Sequence, residues 1–414
     1  MATFASTIAK AVAEAASSPA LREGLLWFAR EKQWIHERHL ELCRIPAPTF
    51  FEQARAEWML AQFREFGYDA RIDRSGNVVA SSKDYPDGPL IAVTAHLDTV
   101  MEPRNPEKDV TFGHDGKFHG PGVSDNGAGL VALLALARAI QGCGPEAFRG
   151  LVFVANVGEE GEGNLSGMRY LCRQSPLSSR LSALVVLDGP ATDHITCQAL
   201  ASRRFDVTIS GPGGHSWSDY GIGNPVHALS RTIALFTDTP LNAAGRPRSS
   251  FNFGIVEGGL SVNSIAVSAR AKLDIRSESV ARLEELSAVL TTCVEKAIEV
   301  ENDRASGGRV SARITDIGTR PGGKLADDAP ILNILRAVDA HLAIRAQVDC
   351  ASTDANIPLS MGIPAVAIGA GGQGGGAHTP GEWYSAEGRD LGLRRILLAL
   401  HLLLGQSRTA APDA

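Results

Sequence analysis

The order of apolar and polar positions divides the 414-residue chain into two kinds of sequence. In the first kind, continuous apolar runs of strand length at residues 89–95, 151–157 and 183–187 predict strands that are buried on both faces. Residues 127–140 are apolar on nearly all sides and predict a buried helix. A fourth buried run, residues 364–368, follows near the end of the chain. Together these elements predict an α/β sheet that is covered by helices.

The pattern changes between about residues 203 and 316, where the predicted strands alternate apolar and polar positions. Such alternation is typical of a sheet with one solvated face. The order strand, helix, strand, strand, helix, strand is the ferredoxin-like split βαβ arrangement. We therefore predict an α/β domain with a mixed sheet from residues 1–202 and 317–414. A ferredoxin-like α+β domain, residues 203–316, is inserted into it.

Composition narrows the class of protein. Charged residues make up 21% of the chain and the net charge is −6. Because no cluster of Lys and Arg is present, we expect no nucleic-acid partner. The six cysteines are scattered without a CxxC pair, which favours free thiols in a reducing compartment. No signal-peptide pattern and no run of about 18 apolar residues occurs, so we predict a cytoplasmic protein that does not span a membrane.

Five side chains that commonly bind metal ions occur near the ends of predicted buried strands or at the start of the buried helix. They are His96, Asp125, Glu160, Asp188 and His378. Because strand ends form the binding crevice of open α/β sheets, we expect these side chains to converge. Nitrogen and oxygen ligands without sulfur suit Zn²⁺, and also Mn²⁺ or Co²⁺. Asp98, two residues after His96, is placed to accept a hydrogen bond from the imidazole.

Each of these residues also has an explanation that involves no metal. Asp125 suits a helix cap, and Asp188 and Asp98 suit turns. The pair Glu159 and Glu160 is harder to explain, because adjacent carboxylates at a strand end repel each other and a cation relieves the repulsion. The glycine-rich surroundings are nevertheless compatible with a solvated acidic loop. The joint pattern favours a metal centre, although the sequence leaves the separate explanations open.

Several stretches carry a resemblance to a known family and run through nearly the whole chain in one order. They are AHLDTV (95–100), GPGVSDNGAGL (120–130), VGEEGEGNLSG (157–167), LDG (187–189), GPGGHSWSDYG (211–221), NPVHAL (224–229), STDANIPLSMGIPAVAIGAGG (352–372) and AHTPGEW (377–383). The chain thereby resembles the M20 metallopeptidases, which include peptidase T, succinyl-diaminopimelate desuccinylase and aminoacylase-1. The resemblance implies a catalytic domain, an inserted lid domain and a homodimer formed through the lid.

The resemblance also implies a role for each candidate ligand. His96 and Asp188 would hold one divalent ion, for which Zn²⁺ is the first choice and Co²⁺ or Mn²⁺ are alternatives. Glu160 and His378 would hold a second ion. Asp125 would bridge both ions, with a bridging water opposite, and a non-proline cis peptide bond would follow it.

Other residues receive catalytic roles from the same resemblance. Glu159 would be the general base that activates the bridging water, and Asp98 would orient His96. His215, in the lid, would support the oxyanion of the tetrahedral intermediate. In dimeric relatives the matching histidine reaches the active site of the other subunit, and the sequence does not decide between action in cis and in trans.

The predicted function is hydrolysis of an amide bond in a small substrate. Asn263, Arg276 and Arg320 are candidates to bind a substrate carboxylate, because the guanidinium fork pairs with carboxylates bidentately. Asp188 and the SDNGAG and STDAN stretches look nearest the peptidase T-like branch, which favours an exopeptidase on short peptides. The alternative enzyme is an N-acyl-amino-acid amidohydrolase. A metal-binding scaffold without activity is disfavoured because Glu159 and all five ligand positions are intact.

Overall fold

A computed structural model describes residues 2–82, 88–240 and 247–409 of the chain. Its α-helices are α1 (Ala2–Ser17), α2 (Pro19–Arg30), α3 (Lys32–Cys43), α4 (Gln53–Glu65), α5 (Pro106–Asp109), α6 (Gly127–Cys143), α7 (Ser166–Arg173), α8 (Pro225–Thr237), α9 (Val280–Arg304), α10 (Pro330–His341), α11 (Asn356–Ser360) and α12 (Arg389–Thr409). Among the residues described, no helix is long and apolar enough to cross a membrane.

The strands, in chain order, vary from two to ten residues in length. They are β1 (Asp69–Ile72), β2 (Val78–Ser81), β3 (Leu90–His96), β4 (Thr111–Phe112), β5 (Lys117–His119), β6 (Leu151–Asn156), β7 (Leu181–Leu187), β8 (His194–Ala199), β9 (Ala201–Ser210), β10 (Gly214–His215), β11 (Ser249–Gly258), β12 (Ser264–Ile265), β13 (Ser268–Ser277), β14 (Ser311–Arg320), β15 (Gly323–Lys324), β16 (Gln347–Ala351), β17 (Ala365–Ile368), β18 (Gln373–Gly375) and β19 (Trp383–Ser385).

The chain forms two units, one from residues 1–199 and 323–414 and the other from residues 200–322. The division lies slightly outside the inserted segment expected from the sequence, residues 203–316. The reason is that the first and last strands of the smaller unit, β9 and β14, extend to Ala201 and Arg320.

The larger unit is built on a mixed sheet with the strand order β1-β2-β6-β3-β7-β17-β8-β15, and β16 pairs with β8. Strands β6, β3, β7 and β17 run parallel to one another, whereas β2 is antiparallel to β6 and β8 is antiparallel to β17. The predicted α/β class with a mixed sheet is therefore confirmed. Every residue of β3 and β6 is buried, as the continuous apolar runs predict. The parallel strands end at one edge of the sheet, so the residues that follow them come together there.

Helix α6 covers this sheet and begins beside the same edge. Most of its side chains are buried, and it packs against α2, α3 and β3. Asn126 caps its first turn, because the side chain accepts a hydrogen bond from the Gly129 N–H at 3.1 Å. A small antiparallel sheet, β18-β19-β5-β4, joins residues far apart in the sequence, with Trp383 opposite His119. It ties the C-terminal loops to the segment that precedes α6.

The smaller unit has the order β9, α8, β11, β13, α9, β14, with a short pair formed by β10 and β12. Its four-stranded antiparallel sheet has the order β11-β13-β9-β14, which is the ferredoxin-like arrangement. Alternate residues of β9 and β13, such as Val207 and Leu273, pack against Leu286 and Leu290 of α9. The opposite face carries charged pairs, including Arg270 with Asp206. The alternating sequence pattern thus reflects one apolar and one polar face.

Candidate metal centre

All five predicted ligands lie together in the larger unit, with Glu159 beside them. Three groups have ligand atoms within 4.8 Å of one another: His96, Glu159 and Glu160; His96, Asp125 and Asp188; and Asp125, Glu160 and His378. The residues come from the ends of β3, β6 and β7, the start of α6 and the loop between β18 and β19. The edge of the parallel sheet therefore gathers residues that are up to 282 positions apart, from His96 to His378.

Asp125 lies between the two histidines and faces each with a different oxygen. Its Oδ1 is 3.1 Å from His96 Nε2, and its Oδ2 is 3.0 Å from His378 Nε2. The same nitrogen of His378 is 2.8 Å from Glu160 Oε1, and His96 Nε2 is 3.9 Å from Asp188 Oδ1. The side chains thus form two groups of donors that share one carboxylate.

These donors fit two divalent ions. A tetrahedral ion with bonds of about 2.0–2.1 Å separates its ligand atoms by about 3.3 Å, and the distances within the two groups run from 2.8 to 3.9 Å. All the donors are nitrogen or oxygen atoms, which suit Zn²⁺, Mn²⁺ or Co²⁺. His96 is almost fully buried, whereas the side chain of His378 is 50% exposed. The centre is therefore open to substrate on the His378 side of this unit.

The electrostatics of the group also favour cations. Burial, followed by the charge of neighbouring Glu159, raises the pKa of Glu160 to about 7. Burial and the charge of Asp125 raise the pKa of Asp188 well above its ordinary value. The hydrogen bond that His378 donates to Asp125 raises the pKa of His378 to about 9. Because Glu160 and Asp188 resist ionisation while His378 holds its proton, the group has an excess of negative charge, which divalent ions would neutralise.

Hydrogen bonds fix the orientation of His96. Its Nδ1 lies 2.9 Å from the backbone oxygen of Asp98 and 3.5 Å from the carboxylate Oδ1 of the same residue. A proton on Nδ1 that is donated to this carbonyl leaves the Nε2 lone pair directed at Asp125 and Asp188. Asp98 contacts His96 as expected, but its backbone oxygen is closer than the expected carboxylate.

The carboxylate of Asp98 instead holds the chain at the glutamate pair. It accepts the backbone N–H of Glu159 at 3.0 Å and that of Glu160 at 2.9 Å. The Thr49 hydroxyl donates to it at 2.9 Å. Asp98 is fully buried, so these bonds are shielded from water and are charge-assisted. Asp98 thus fixes the backbone of both glutamates relative to His96.

Asn126 has a similar role that the sequence did not reveal. It follows a cis peptide bond, Asp125–Asn126, as the family resemblance implied. Its amide donates to the Leu187 oxygen at 2.8 Å and accepts from the Gly189 N–H at 3.2 Å. These two contacts lie on either side of Asp188 along the chain. Asn126 therefore ties the segment that carries Asp125 to the strand end that carries Asp188.

Two further buried carboxylates next to the centre were also missed. Glu382 accepts backbone N–H groups from the loop that carries Asp125, and Asp354 accepts the Asn156 amide at 2.7 Å. Burial, followed by the charge of Glu159, raises the pKa of Asp354 to about 7. Glu382 lies within the AHTPGEW motif and Asp354 within STDAN. Membership of these motifs is the sequence feature that could have identified the two residues.

The smaller unit brings His215 and Asn263 together on the β10–β12 pair. The Ser216 N–H donates to the Asn263 backbone oxygen at 3.0 Å. The ring nitrogen Nδ1 of His215 accepts from the backbone N–H groups of Trp217 and Ser218 at 3.2 and 3.3 Å. Both predicted residues are exposed. They are thus displayed at the surface of this unit as neighbours.

Arg276 and Arg320 lie together on the four-stranded sheet, at the end remote from the β10–β12 pair. Both are in register with Ser202, Arg276 on β13 and Arg320 on β14. Arg276 also donates to Asp274 at 2.7 Å. At about 3.4 Å per residue, Arg276 lies about 27 Å along β13 from the start of that strand at Ser268, and Asn263 precedes that start in the chain. The structure therefore does not bring Asn263 together with Arg276 within one unit.

Comparison with known proteins shows the family to which the chain is similar. A family model for peptidase family M20/M25/M40 matches residues 92–400 of the chain. A probable carboxypeptidase from Aspergillus clavatus is 27% identical over 216 residues, which are 48% of this chain and 47% of that protein. The chain spans about half the length of this relative.

Two further proteins are similar over longer stretches. A succinyl-diaminopimelate desuccinylase from Methylocella silvestris is 25% identical over 280 residues, which cover 62% of this chain and 71% of that protein. The crystal structure of a tripeptidase from Staphylococcus aureus has a TM-score of 0.73, with 20% identity, over 91% of this chain and 99% of that one. At this identity the structural likeness supports a shared fold.

Proposed function

Because the chain belongs to peptidase family M20/M25/M40, we propose that it is a two-metal hydrolase that acts as an exopeptidase on short peptides. The observation that carries this proposal is the position of Asp125. One carboxylate faces His96 with Oδ1 and His378 with Oδ2, at 3.1 and 3.0 Å. A carboxylate with a separate histidine at each oxygen is the arrangement that a bridging ligand between two ions requires.

The residues of each ion site follow from these distances. His96 and Asp188 would hold one ion, and Glu160 and His378 the other. Asp125 would contribute an oxygen to each. Bound ions would supply positive charge that lowers the pKa of a water molecule and polarises the substrate carbonyl. We keep Zn²⁺ as the first candidate, with Co²⁺ and Mn²⁺ as alternatives.

Glu159 is proposed as the general base. Its carboxylate belongs to the same group of atoms as His96 and Glu160, and the residue is buried. Asp98 holds its backbone N–H at 3.0 Å, which limits the positions open to the side chain. Glu159 would take a proton from the attacking water and deliver it to the leaving nitrogen. Asp98 would act through Glu159 and His96 rather than on the substrate.

His215 is proposed to stabilise the oxyanion. Since its Nδ1 accepts two backbone N–H groups, the proton of the neutral ring belongs on Nε2. This leaves an N–H donor, which is the group that an oxyanion requires. Asn263, beside the same β10–β12 pair, would add a second polar contact.

The positions of the predicted substrate contacts support action of His215 in trans. An extended tripeptide spans about 11 Å, which is much shorter than the distance of about 27 Å along β13 between the two ends of the sheet. One small substrate could therefore not reach both groups of residues within a single unit. It would contact Arg276 and Arg320 of one subunit together with His215 and Asn263 of the other. We accordingly propose a homodimer formed through the smaller unit.

Exposed apolar side chains in the segments around the β10–β12 pair also favour a partner surface. Trp217 and Tyr220 are 86% and 85% exposed, and Leu260 and Val262 are 96% and 103% exposed. Large apolar groups gathered at one place on a surface are typical of an interaction site. The second subunit of a homodimer is the proposed occupant. The cytoplasmic location predicted from the sequence remains a prediction.

Arg276 and Arg320 are proposed to bind the carboxylate of a peptide substrate, because guanidinium groups pair bidentately with carboxylates. The structural similarity to a tripeptidase supports a short peptide as the substrate. The alternative is an N-acyl amino acid, which also ends in a carboxylate and is favoured by the similarity to a desuccinylase. The two substrates differ at the end remote from the carboxylate, where one has a free amine and the other an acyl group.

A substrate panel tests the proposal. The protein would be freed of metal by chelation, reconstituted with Zn²⁺, Co²⁺ or Mn²⁺, and given free, N-acetylated and C-amidated di- and tripeptides together with N-acyl amino acids. We expect metal-dependent cleavage of free di- or tripeptides and little cleavage of amidated ones. Preference for N-acyl amino acids would favour the alternative. Absence of cleavage with every metal would contradict the proposed function.

A further inference from the structure

Glu382 is a buried carboxylate, 3% exposed, that lies four residues after His378. Its side chain accepts three backbone hydrogen bonds from one loop. Gly122 donates to Oε2, and Ser124 and Asp125 donate to Oε1, each at 2.8 Å. All three donors belong to the segment that ends in the shared carboxylate of the metal centre.

Backbone contacts join the same two segments. The Gly120 N–H donates to the Glu382 backbone oxygen at 3.0 Å, and the pairing of β19 with β5 begins one residue further along the chain. The segment with His378 is closed on itself by a turn, in which the Thr379 hydroxyl donates to the Gly376 oxygen at 2.7 Å. The loop with Asp125 and the loop with His378 are therefore connected by backbone pairing and, at Asp125 itself, by the side chain of Glu382.

We propose that Glu382 is a positioning residue that holds Asp125 at the distance from His378 at which both can bind one ion. The Asp125 N–H is among the groups that Glu382 accepts, so the main chain of the shared ligand is held directly. Charge-assisted bonds of this kind are short and strong when buried. This inference rests on the proposed two-metal function, and it assigns Glu382 no contact with substrate or ion.

Substitution of Glu382 by Gln distinguishes a role in hydrogen bonding from a role in packing alone. The amide has nearly the same shape, but one of its two polar atoms is a donor. Because all three loop groups that face Glu382 are donors, the amide nitrogen must face at least one N–H group. An unsatisfied N–H and a donor–donor contact would loosen the loop that ends at Asp125.

Metal binding is the appropriate readout, since it does not depend on catalysis. Metal-free wild type, Glu382→Gln and Glu301→Gln would be titrated with Co²⁺ while affinity and the visible absorption spectrum are recorded. Glu301→Gln is the matched control, because Glu301 is also buried and accepts a backbone N–H, that of Asn224 at 3.0 Å, in the smaller unit. We expect Glu382→Gln to bind Co²⁺ about 10- to 100-fold more weakly and with an altered spectrum, and Glu301→Gln to match the wild type.

Glu382→Asp provides a second variant if the Gln variant does not fold. The aspartate keeps the charge but is one methylene shorter, so it should restore part of the lost Co²⁺ affinity. Wild-type affinity and spectrum in a folded Glu382 variant, with only a lower melting temperature, would overturn the positioning role and leave the metal centre intact. A wild-type chain that binds no divalent ion would instead contradict the proposed function, and the inference would fall with it.

Discussion

The candidate metal centre and the β10–β12 pair both carry residues that the family resemblance singles out, yet they differ in how the protein holds them. At the candidate metal centre, side chains such as Asp98, Asn126 and Glu382 are buried and hold the ligand-bearing backbone through several hydrogen bonds. At the β10–β12 pair, His215 and Asn263 are exposed, and the hydrogen bonds described for them are with residues that directly follow β10.

This difference indicates which of the proposed catalytic residues a single chain can bring together without a partner. Within each group at the candidate metal centre the ligand atoms already lie within 4.8 Å of one another, so bound ions would need little rearrangement of the chain. His215 has an oriented ring, but all five candidate ligands belong to the other unit. Its proposed role therefore depends on a second surface, whereas the role of Asp125 does not. The following predictions test this contrast, from the largest expected effect to the smallest.

The largest effect is expected from Glu159→Gln at the metal centre. The substitution removes the base but keeps the shape of the side chain, so both ions should remain bound. We expect kcat to fall by about 10²- to 10⁴-fold, the usual contribution of general acid–base catalysis. Steady-state kinetics and metal analysis of the same preparation provide the measurement. A variant with near-normal kcat would remove Glu159 from the mechanism.

The next largest effect is expected at the β10–β12 pair. His215→Ala should lower kcat by about 10²- to 10³-fold with little change in KM, because a donor to the oxyanion acts in the transition state. Metal content should equal that of the wild type. A change confined to KM would make His215 a substrate-binding residue and would contradict the proposed stabilisation of the oxyanion.

Mixed dimers sharpen the contrast between the two regions. If His215 acts in trans, a dimer of one His215→Ala subunit and one Glu159→Gln subunit contains one complete site. Refolding the two inactive variants together should then restore about a quarter of the wild-type activity at equal amounts. Mixtures that stay as inactive as their parents would place His215 at the active site of its own chain.

A smaller effect is expected at the other end of the sheet of the smaller unit. Arg276→Lys keeps the charge but loses the bidentate fork, so KM for a peptide with a free carboxylate should rise by about tenfold. For the same peptide with an amidated C-terminus, wild type and variant should behave alike. Equal KM values for the free peptide in wild type and variant would show that Arg276 does not bind the carboxylate.

The smallest effect concerns His39, which belongs to neither region. It is fully buried and lies 2.8 Å from the Val123 backbone oxygen. Burial, followed by the charge of Arg389, lowers its pKa from 6.5 to about 3. The unfolded chain therefore binds a proton that the folded chain excludes between these two values. The stability that neutral His39 provides is complete above pH 6.5 and is lost as the pH falls towards 3.

Urea unfolding of metal-free wild type and His39→Gln at several pH values tests this prediction. The glutamine amide can donate to the Val123 oxygen but does not titrate. Between pH 6 and 5 the wild type should lose about 1 kcal/mol more per pH unit than the variant. Parallel pH dependences would mean that His39 does not control acid unfolding.

The fold was predictable where the sequence has a strong periodic signal. The apolar runs gave β3, β6, β7 and β17, and the alternating region gave the ferredoxin-like order. Strands β8 and β16 were missed because their sequences, HITCQA and QVDCA, mix polar and apolar residues without a clear period. Pairing with neighbours in the sheet, rather than intrinsic preference, decides their conformation.

The candidate site was predictable in its ligands but not in the residues that hold them. Histidine and carboxylate side chains at strand ends have a recognisable pattern, and the structure brings all five together. The contact of Glu382 with Gly122 joins positions 260 residues apart and uses a backbone N–H, which every residue except proline has. Such contacts have no local signature in one sequence. The separation of Asn263 from Arg276 likewise becomes visible only in the strand register.

The most direct test of the central claim is the number of ions that one chain binds. Metal-free wild type and Asp125→Asn would be titrated with Zn²⁺ or Co²⁺ by calorimetry, with elemental analysis after removal of free metal. The account predicts two ions per wild-type chain and weaker binding of both ions in the variant, since Asp125 would serve each site. One ion or none in the wild type, or a variant that binds two ions with unchanged affinity, would contradict a centre built on a shared carboxylate.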